Sequence, residues 1–203
     1  MSTADRPVVA AVVLAAGSST RMGSNKLLLD LGGESVVRRA VRQAIEGGVD
    51  LVVVVLGHEA ERVEAELSGL SCVRVVNPDH AQGVDTSLHL GVARAATEAG
   101  ALVVVLADMP FVTADMIGAV VERYRATGAP LVVSRYGEVE APPILYDRAL
   151  FAELLSLPGE RCAKQVVRRH RQEAQVVTWP EPALRDIDVA LDYERARAEM
   201  AGG

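Results

Sequence analysis

Residues Val8 to Leu28 read VVAAVVLAAGSSTRMGSNKLL. The run from Val8 to Ala15 is continuously apolar rather than alternating, which is how a strand covered on both faces reads. The character then changes at once: Ala16 and Gly17 are small, Ser18, Ser19 and Thr20 are polar, and Arg21 and Lys26 follow five residues apart. Small residues at a strand end let backbone N–H groups approach phosphate oxygens as a nest of amides. Arg21 can fork two such oxygens and Lys26 adds a point charge. The competing reading is a solvated turn with a basic tip.

Working outward, similar runs recur at Leu51 to Leu56, Val73 to Val76, Ala101 to Ala107 and Leu131 to Val133. Between them, Ser35 to Glu46, Glu59 to Leu67, Thr86 to Ala99 and Ala114 to Thr127 carry apolar residues at helical spacing, and Thr113 has the oxygen to cap the last of these. Strands alternating with helices predict a mainly parallel α/β sheet with right-handed crossovers. After residue 136 the pattern weakens. Gly137 to Pro143 reads as a loop or edge excursion, Ile144 to Tyr146 and Ala174 to Thr178 as strands, and Arg148 to Leu155, Ala163 to His170 and Ala190 to Met200 as helices.

With 203 residues and 50% hydrophobic composition, one domain spanning 1–203 is expected. The formal net charge of -6 argues against a surface built to grip nucleic acid or an anionic membrane, so any phosphate site must be local. Cys72 and Cys162 stand far apart without CxxC or Cys/His spacing, which predicts reduced thiols and no zinc site. No leader pattern and no long apolar stretch are evident, so a cytoplasmic protein is expected. The dinucleotide fingerprint GxGxxG and the P-loop GxxxxGK[ST] both fail against Gly17 to Ser24.

The stretch LAAGSSTRMGSNKLL does resemble the signature LAAGxSxRMGxxK of nucleotidyltransferases related to the molybdenum cofactor cytidylyltransferases, with guanylyltransferase and sugar-phosphate relatives. The resemblance continues through NPDHAQGVDTSLHLG (Asn77 to Gly91), LADMP (Leu106 to Pro110) and DIDVALDY (Asp186 to Tyr193), and so touches almost the whole chain. It implies a three-layer α/β/α sandwich with a mainly parallel, mixed sheet, the Rossmann-like nucleotidyltransferase fold.

The resemblance also implies roles. Leu14, Ala15, Ala16 and Gly17 would meet the nucleotide base and phosphates, Arg21 and Lys26 the triphosphate, and Asn77, Gly83 and Ser87 the base and ribose. Asp108 would hold magnesium, which suits a carboxylate after a buried strand; a cap before Pro110 is the alternative. For Asp188, metal contact and a capping or surface role shared with Asp186 and Asp192 stay open. Arg21, Lys26 and Asp108 would form the catalytic set.

The implied reaction is transfer of CMP from CTP to molybdopterin cofactor with release of pyrophosphate, and a molybdoenzyme is the implied partner. CTP is favoured over GTP because guanylyltransferase relatives more often read LAGG where this chain has Ala16. One departure concerns the acceptor: the cytidylyltransferases often carry Gly-His-Pro where this chain reads Ala141, Pro142, Pro143. A sugar phosphate or another phosphorylated metabolite is therefore the alternative acceptor, and a non-catalytic cofactor carrier or chaperone the alternative class. Lys164, Arg168, Arg169 and Arg171 read either as a solvated helix face or as an anion contact. His58, His80, His89 and His170 read as packing or surface residues, with His80 close enough in sequence to Gly83 to meet a ligand. Trp179 reads as a packing residue at a strand end.

Overall fold

The computed structural model describes residues 6–18, 24–159, 162–187 and 190–201. The opening apolar run forms β1, Val9–Ala15, which pairs in parallel with β2 (Leu51–Leu56) on one side and β4 (Ala101–Leu106) on the other. Strand β3 (Val73–Val76) adds in parallel beyond β2. Beyond β4 lie β6 (Val139–Asp147), antiparallel to both neighbours, then β5 (Leu131–Tyr136) and β7 (Gln175–Trp179). The result is a seven-stranded mixed sheet in the order β3-β2-β1-β4-β6-β5-β7.

Alternation along β1 divides the core. Val9, Ala11, Val13 and Ala15 point to one face, where they pack with α1 (Val36–Glu46), α2 (Ala60–Glu66), α4 (Ala114–Thr127) and α7 (Ala190–Ala201). Ala10 and Val12 point to the other, against α3 (Val84–Ala95), α5 (Phe151–Ser156) and α6 (Cys162–Arg169). Helices on both faces explain why the strands read as continuous apolar runs. Two expected helix starts are capped by hydroxyls: Ser35 Oγ accepts from the Arg38 N–H and Thr113 Oγ1 from the Met116 N–H.

The region read as a loop, Gly137 to Pro143, differs. Most of it belongs to β6, joined to β5 by a tight turn in which Gly137 takes φ 58, a backbone state that favours glycine. Two prolines mislead because neither can donate to a ladder. The strand accommodates them at an irregularity, where the pairing steps from Val133↔Ile144 to Arg135↔Glu140, and Tyr136 Oη donates to the Pro142 carbonyl at 2.8 Å.

Helix α3 approaches the sheet closely because Gly91 has no side chain. A Cβ there would stand 2.4 Å from Val12 Cγ1 and 3.0 Å from Val55 Cγ2. Gly91→Ala should therefore cost about 1–3 kcal/mol by overpacking, despite the better helix propensity of alanine. Chemical denaturation of the variant against the wild type measures this, and equal stability would show that α3 can shift freely.

Candidate active site

Strands β1 and β4 are parallel neighbours, yet the next strand after β1 lies to one side and those after β4 lie to the other. Such a switch point opens a crevice beyond the carboxyl ends of the strands. A cleft of about 350 Å³ occupies this place, bordered by Ala16, Gly17 and Ser18 after β1, Lys26, Gly83 and Ser87 around it, and Asp108 after β4. Leu14, Leu106 and His80 also border it.

Lys26 stands at the start of a single 3-10 turn, Lys26–Leu28, whose cap is Asn25. The nearly buried Asn25 accepts from the Leu27 N–H through Oδ1 at 3.1 Å, and its Nδ2 reaches the His58 carbonyl at 3.5 Å. The His58 N–H in turn donates to the Ala16 carbonyl at 3.2 Å. Gly57 makes this approach possible: a Cβ on it would stand 2.7 Å from Ala16 Cβ, 2.8 Å from the Ala16 carbonyl and 2.6 Å from His80 Cβ. Glu59, with φ 50, is the one non-glycine residue in the left-handed region among the described residues. Its carboxyl is held below the usual range chiefly by its hydrogen bond to Arg62, with a smaller contribution from Asn25. Loop, turn and strand end thus form one closed set of contacts that aims Lys26.

Its target is Asp108. Lys26 Nζ lies 2.7 Å from Asp108 Oδ2, with the side chains 11% and 26% exposed. A cation and a carboxylate from distant parts of the chain therefore meet at the floor of an open cleft. On the other wall, Gly83 (φ 147) begins α3 and turns the positive end of that helix, with Ser87, toward the same space. Beyond Asp108, its backbone carbonyl accepts from the N–H of the buried Ile187 at 3.0 Å. This anchors the segment that precedes Asp188.

Of the residues expected from the sequence, Leu14, Ala16, Gly17, Lys26, Gly83, Ser87 and Asp108 gather around the cleft. Two stand behind its wall. The Ala15 side chain belongs to the core on the α1 face, because strand alternation turns it away from Leu14. Asn77 is 4% exposed and donates through Nδ2 to Thr86 Oγ1 at 2.8 Å and Ser87 Oγ at 2.9 Å, so its amide ties the loop to α3. Arg21 and Asp188 lie outside the described residues. Sequence reasoning missed Asn25 and Gly57. The signal for Asn25 was present as an Asn directly before a short apolar turn, but nothing local marks Gly57, whose role depends on Ala16 and His80.

A donor set of this kind suits magnesium. Asp108 supplies a hard, accessible carboxylate oxygen, and magnesium is held by one or two carboxylates plus phosphates and water rather than by an all-protein cage. Among the described residues no three His, Cys, Asp or Glu side chains converge.

Residues 11–175 match the MobA-like NTP transferase domain. The chain belongs to that family. Over 210 aligned residues it is 30% identical to the purine catabolism protein PucB of Bacillus subtilis (strain 168), covering 96% of this chain and 98% of PucB. It is 31% identical to the bifunctional protein GlmU of Sphingopyxis alaskensis over 93% of this chain, but spans only 39% of GlmU. Among solved structures, Rv0371c of Mycobacterium tuberculosis H37Rv superposes with a TM-score of 0.84 at 28% identity, covering 94% of this chain and 97% of that one. Rv0371c has also been solved in complex with manganese. The MobA-like chain is thus a nucleotidyltransferase by family, and its mixed sheet is the nucleotidyltransferase fold. Among its described residues no helix is long and apolar enough to cross a membrane.

Gly57→Ala tests the closed set of contacts in this MobA-like domain. The added methyl must push against backbone at Ala16, so nucleoside triphosphate affinity should fall roughly tenfold or more, since positioning errors near 1 Å are costly. Isothermal titration with a non-hydrolysable triphosphate measures it, and unchanged affinity would show that the loop does not set the cleft.

Proposed function

We propose that this protein is a cytoplasmic, magnesium-dependent cytidylyltransferase that transfers CMP from CTP to the phosphate of molybdopterin cofactor and releases pyrophosphate. The observation that carries the reading is the Lys26–Asp108 pair at 2.7 Å, set between the strand-end loop and the start of α3. An ammonium and a carboxylate at this spacing neutralise each other until a magnesium triphosphate arrives. Lys26 would then hold phosphate oxygens and Asp108 the metal, with Arg21 and Asp188 proposed to add to each side.

Magnesium, when bound, supplies neutralisation of charge on the phosphate oxygens. The chain's own residues do the rest. Gly17 and Ser18 offer backbone approach to the phosphates, and the N-terminus of α3 offers N–H groups and a partial positive charge. Leu14, Leu106 and Val84 put apolar surface beside the reacting end. An oxygen of the acceptor phosphate attacks the α-phosphorus, the bond from the α-phosphorus to its bridging oxygen breaks, and pyrophosphate leaves with the electron pair. Positioning and charge neutralisation supply the acceleration, without a protein base.

Ala16 supports CTP. Its methyl borders the cleft where a glycine would leave room, and one methyl is worth about 1–3 kcal/mol of discrimination. The stretch Ala141, Pro142, Pro143, where the cytidylyltransferases often carry Gly-His-Pro, favours a second reading, in which the acceptor is a sugar phosphate or another phosphorylated metabolite.

Purified protein with magnesium, molybdopterin cofactor and either CTP or GTP should release pyrophosphate with CTP at a rate at least about tenfold above that with GTP. Asp108→Ala should abolish release while the thermal transition stays in place. Turnover with a sugar phosphate but not with molybdopterin would replace the first reading by the second. Tight pterin binding without pyrophosphate release under any nucleotide would make the protein a cofactor carrier.

Lys26→Met separates the two halves of the ion pair. Removing the competing ammonium should tighten manganese binding to the nucleotide-free protein severalfold, while weakening CTP binding roughly tenfold. Electron paramagnetic resonance titration of free manganese reads the first effect. Weaker manganese binding in the variant would show that Lys26 supports the metal site instead of occupying it.

A further inference from the structure

Next to the nucleotide cleft lies a second chamber of about 330 Å³, and the two share Leu14, Val84 and Leu106. Its floor is apolar, built from Leu88 of α3, Val104 of β4 and Ile144 and Tyr146 of β6. Two polar groups among its lining are turned away or kept neutral. Tyr146 Oη donates to the Ala163 carbonyl at 3.4 Å, and burial pushes the pKa of both the Tyr146 phenol and the Cys162 thiol up. Ala141 and Pro142, from the stretch that departs from the cytidylyltransferase pattern, form one wall.

Another wall is α6, and the charges on it and just after it divide by what they meet. Arg169 Nη1 and His170 Nε2 each lie 2.7 Å from Glu153 of α5, so they staple two helices together. Lys164 and Arg168, one turn apart on the same face, border the chamber instead and have no carboxylate partner among the described residues. Both residues are exposed, and since like charges on adjacent turns disfavour a helix slightly, an anion at the chamber would relieve their repulsion.

Nearby acids do not supply it. Glu140, across the chamber, is engaged by Arg135 at 3.2 Å and Arg171 at 2.9 Å. Asp85 accepts from the Gly159 N–H at 2.8 Å. A protein of net charge -6 thus presents a locally positive rim over an apolar floor.

We infer that this chamber is the acceptor pocket, and that Lys164 and Arg168 bind an anionic group of an acceptor that lays the face of a flat ring system on the apolar floor, with its polar groups at the ring edge. The inference rests on the transferase reading above and gives that reading its acceptor chemistry. A hexose phosphate fits poorly, because its hydroxyls would meet Leu, Val, Ile and Pro side chains and lose hydrogen bonds to water without replacement. An aromatic acceptor loses little there, and its charge is met at the rim by an arginine fork and an ammonium.

The probe is 1-anilinonaphthalene-8-sulfonate, a flat anion, with uncharged N-phenyl-1-naphthylamine as its control. The folded full chain should bind one equivalent of the sulfonate, read by fluorescence titration, and a hexose 1-phosphate should not displace it. The double variant Lys164→Met with Arg168→Met should weaken sulfonate binding roughly tenfold or more and leave the uncharged amine and the thermal transition unchanged. Exchanging the cations, Lys164→Arg with Arg168→Lys, should restore binding. In pyrophosphate release, the methionine variant should raise KM for the acceptor about tenfold with KM for CTP unchanged.

Equal sulfonate affinity in wild type and methionine variant would overturn the inference, as would displacement by the hexose phosphate or an equal loss of the uncharged amine. Failure of the two readings is separable. Cation-dependent sulfonate binding without nucleotidyl transfer removes the transferase reading and leaves the anion site. Transfer with an unaltered acceptor KM does the reverse.

Discussion

Strand β1 is held on both edges by parallel neighbours and on both faces by helices, so all its side chains but that of Leu14, which borders the cleft, are buried inside the protein. Only its carboxyl end leaves backbone free to meet anything else. Because β4 lies alongside in the same register and the chain then continues in opposite directions across the sheet, both strand ends open into one crevice. Lys26 and Asp108 approach each other for that reason. Neither residue lies within a strand, yet the spacing of β1 and β4 decides how far apart their side chains can be.

An ion pair at the floor of an open cleft is a poor source of stability, since partial exposure and the cost of desolvation offset much of the attraction. It is better suited to storing two functional charges in a neutral form. On the proposed reading, a nucleotide with its metal would bring the opposite charge for each partner at once, whereas either alone would break the pair without full compensation. The closed set of contacts through Asn25, His58 and Ala16 keeps Lys26 ready for that exchange. The neighbouring chamber differs in kind: its floor is apolar, and Lys164 and Arg168 border it. On the proposed reading, the charged cleft and the apolar chamber with its cationic edge would take two substrates of different chemistry that meet at Leu14 and Leu106.

Much of the fold was legible because the signals were local. Continuous Val-rich runs announced strands buried on both faces, and Ser35 and Thr113 marked helix starts with their own hydroxyls. The expected bounds of β3 and α4 agree with those observed. Strand β6 was misread at Gly137 to Pro143, since prolines advertise a loop and only the stepped pairing with β5 shows how a strand carries them. In the site, Lys26, Gly83 and Asp108 were legible from their motifs and meet around one cleft. Ala15 was read as a source of backbone N–H at the strand end, and alternation turns its side chain into the core, while the side chain of Asn77 is used up in holding Ser87 and Thr86.

The sequence by itself determined the class of architecture, the strand-end loop with its cations and the carboxylate after β4, because each is written in consecutive residues and in periodicities of two or 3.6. Only the tertiary structure decided that Lys26 faces Asp108, that Gly57 must be bare for Ala16 to pass, and that Arg169 and His170 serve a helix staple while Lys164 and Arg168 face a chamber. Those facts depend on contacts between segments far apart in the chain. Close packing sets such contacts, and no local pattern encodes them.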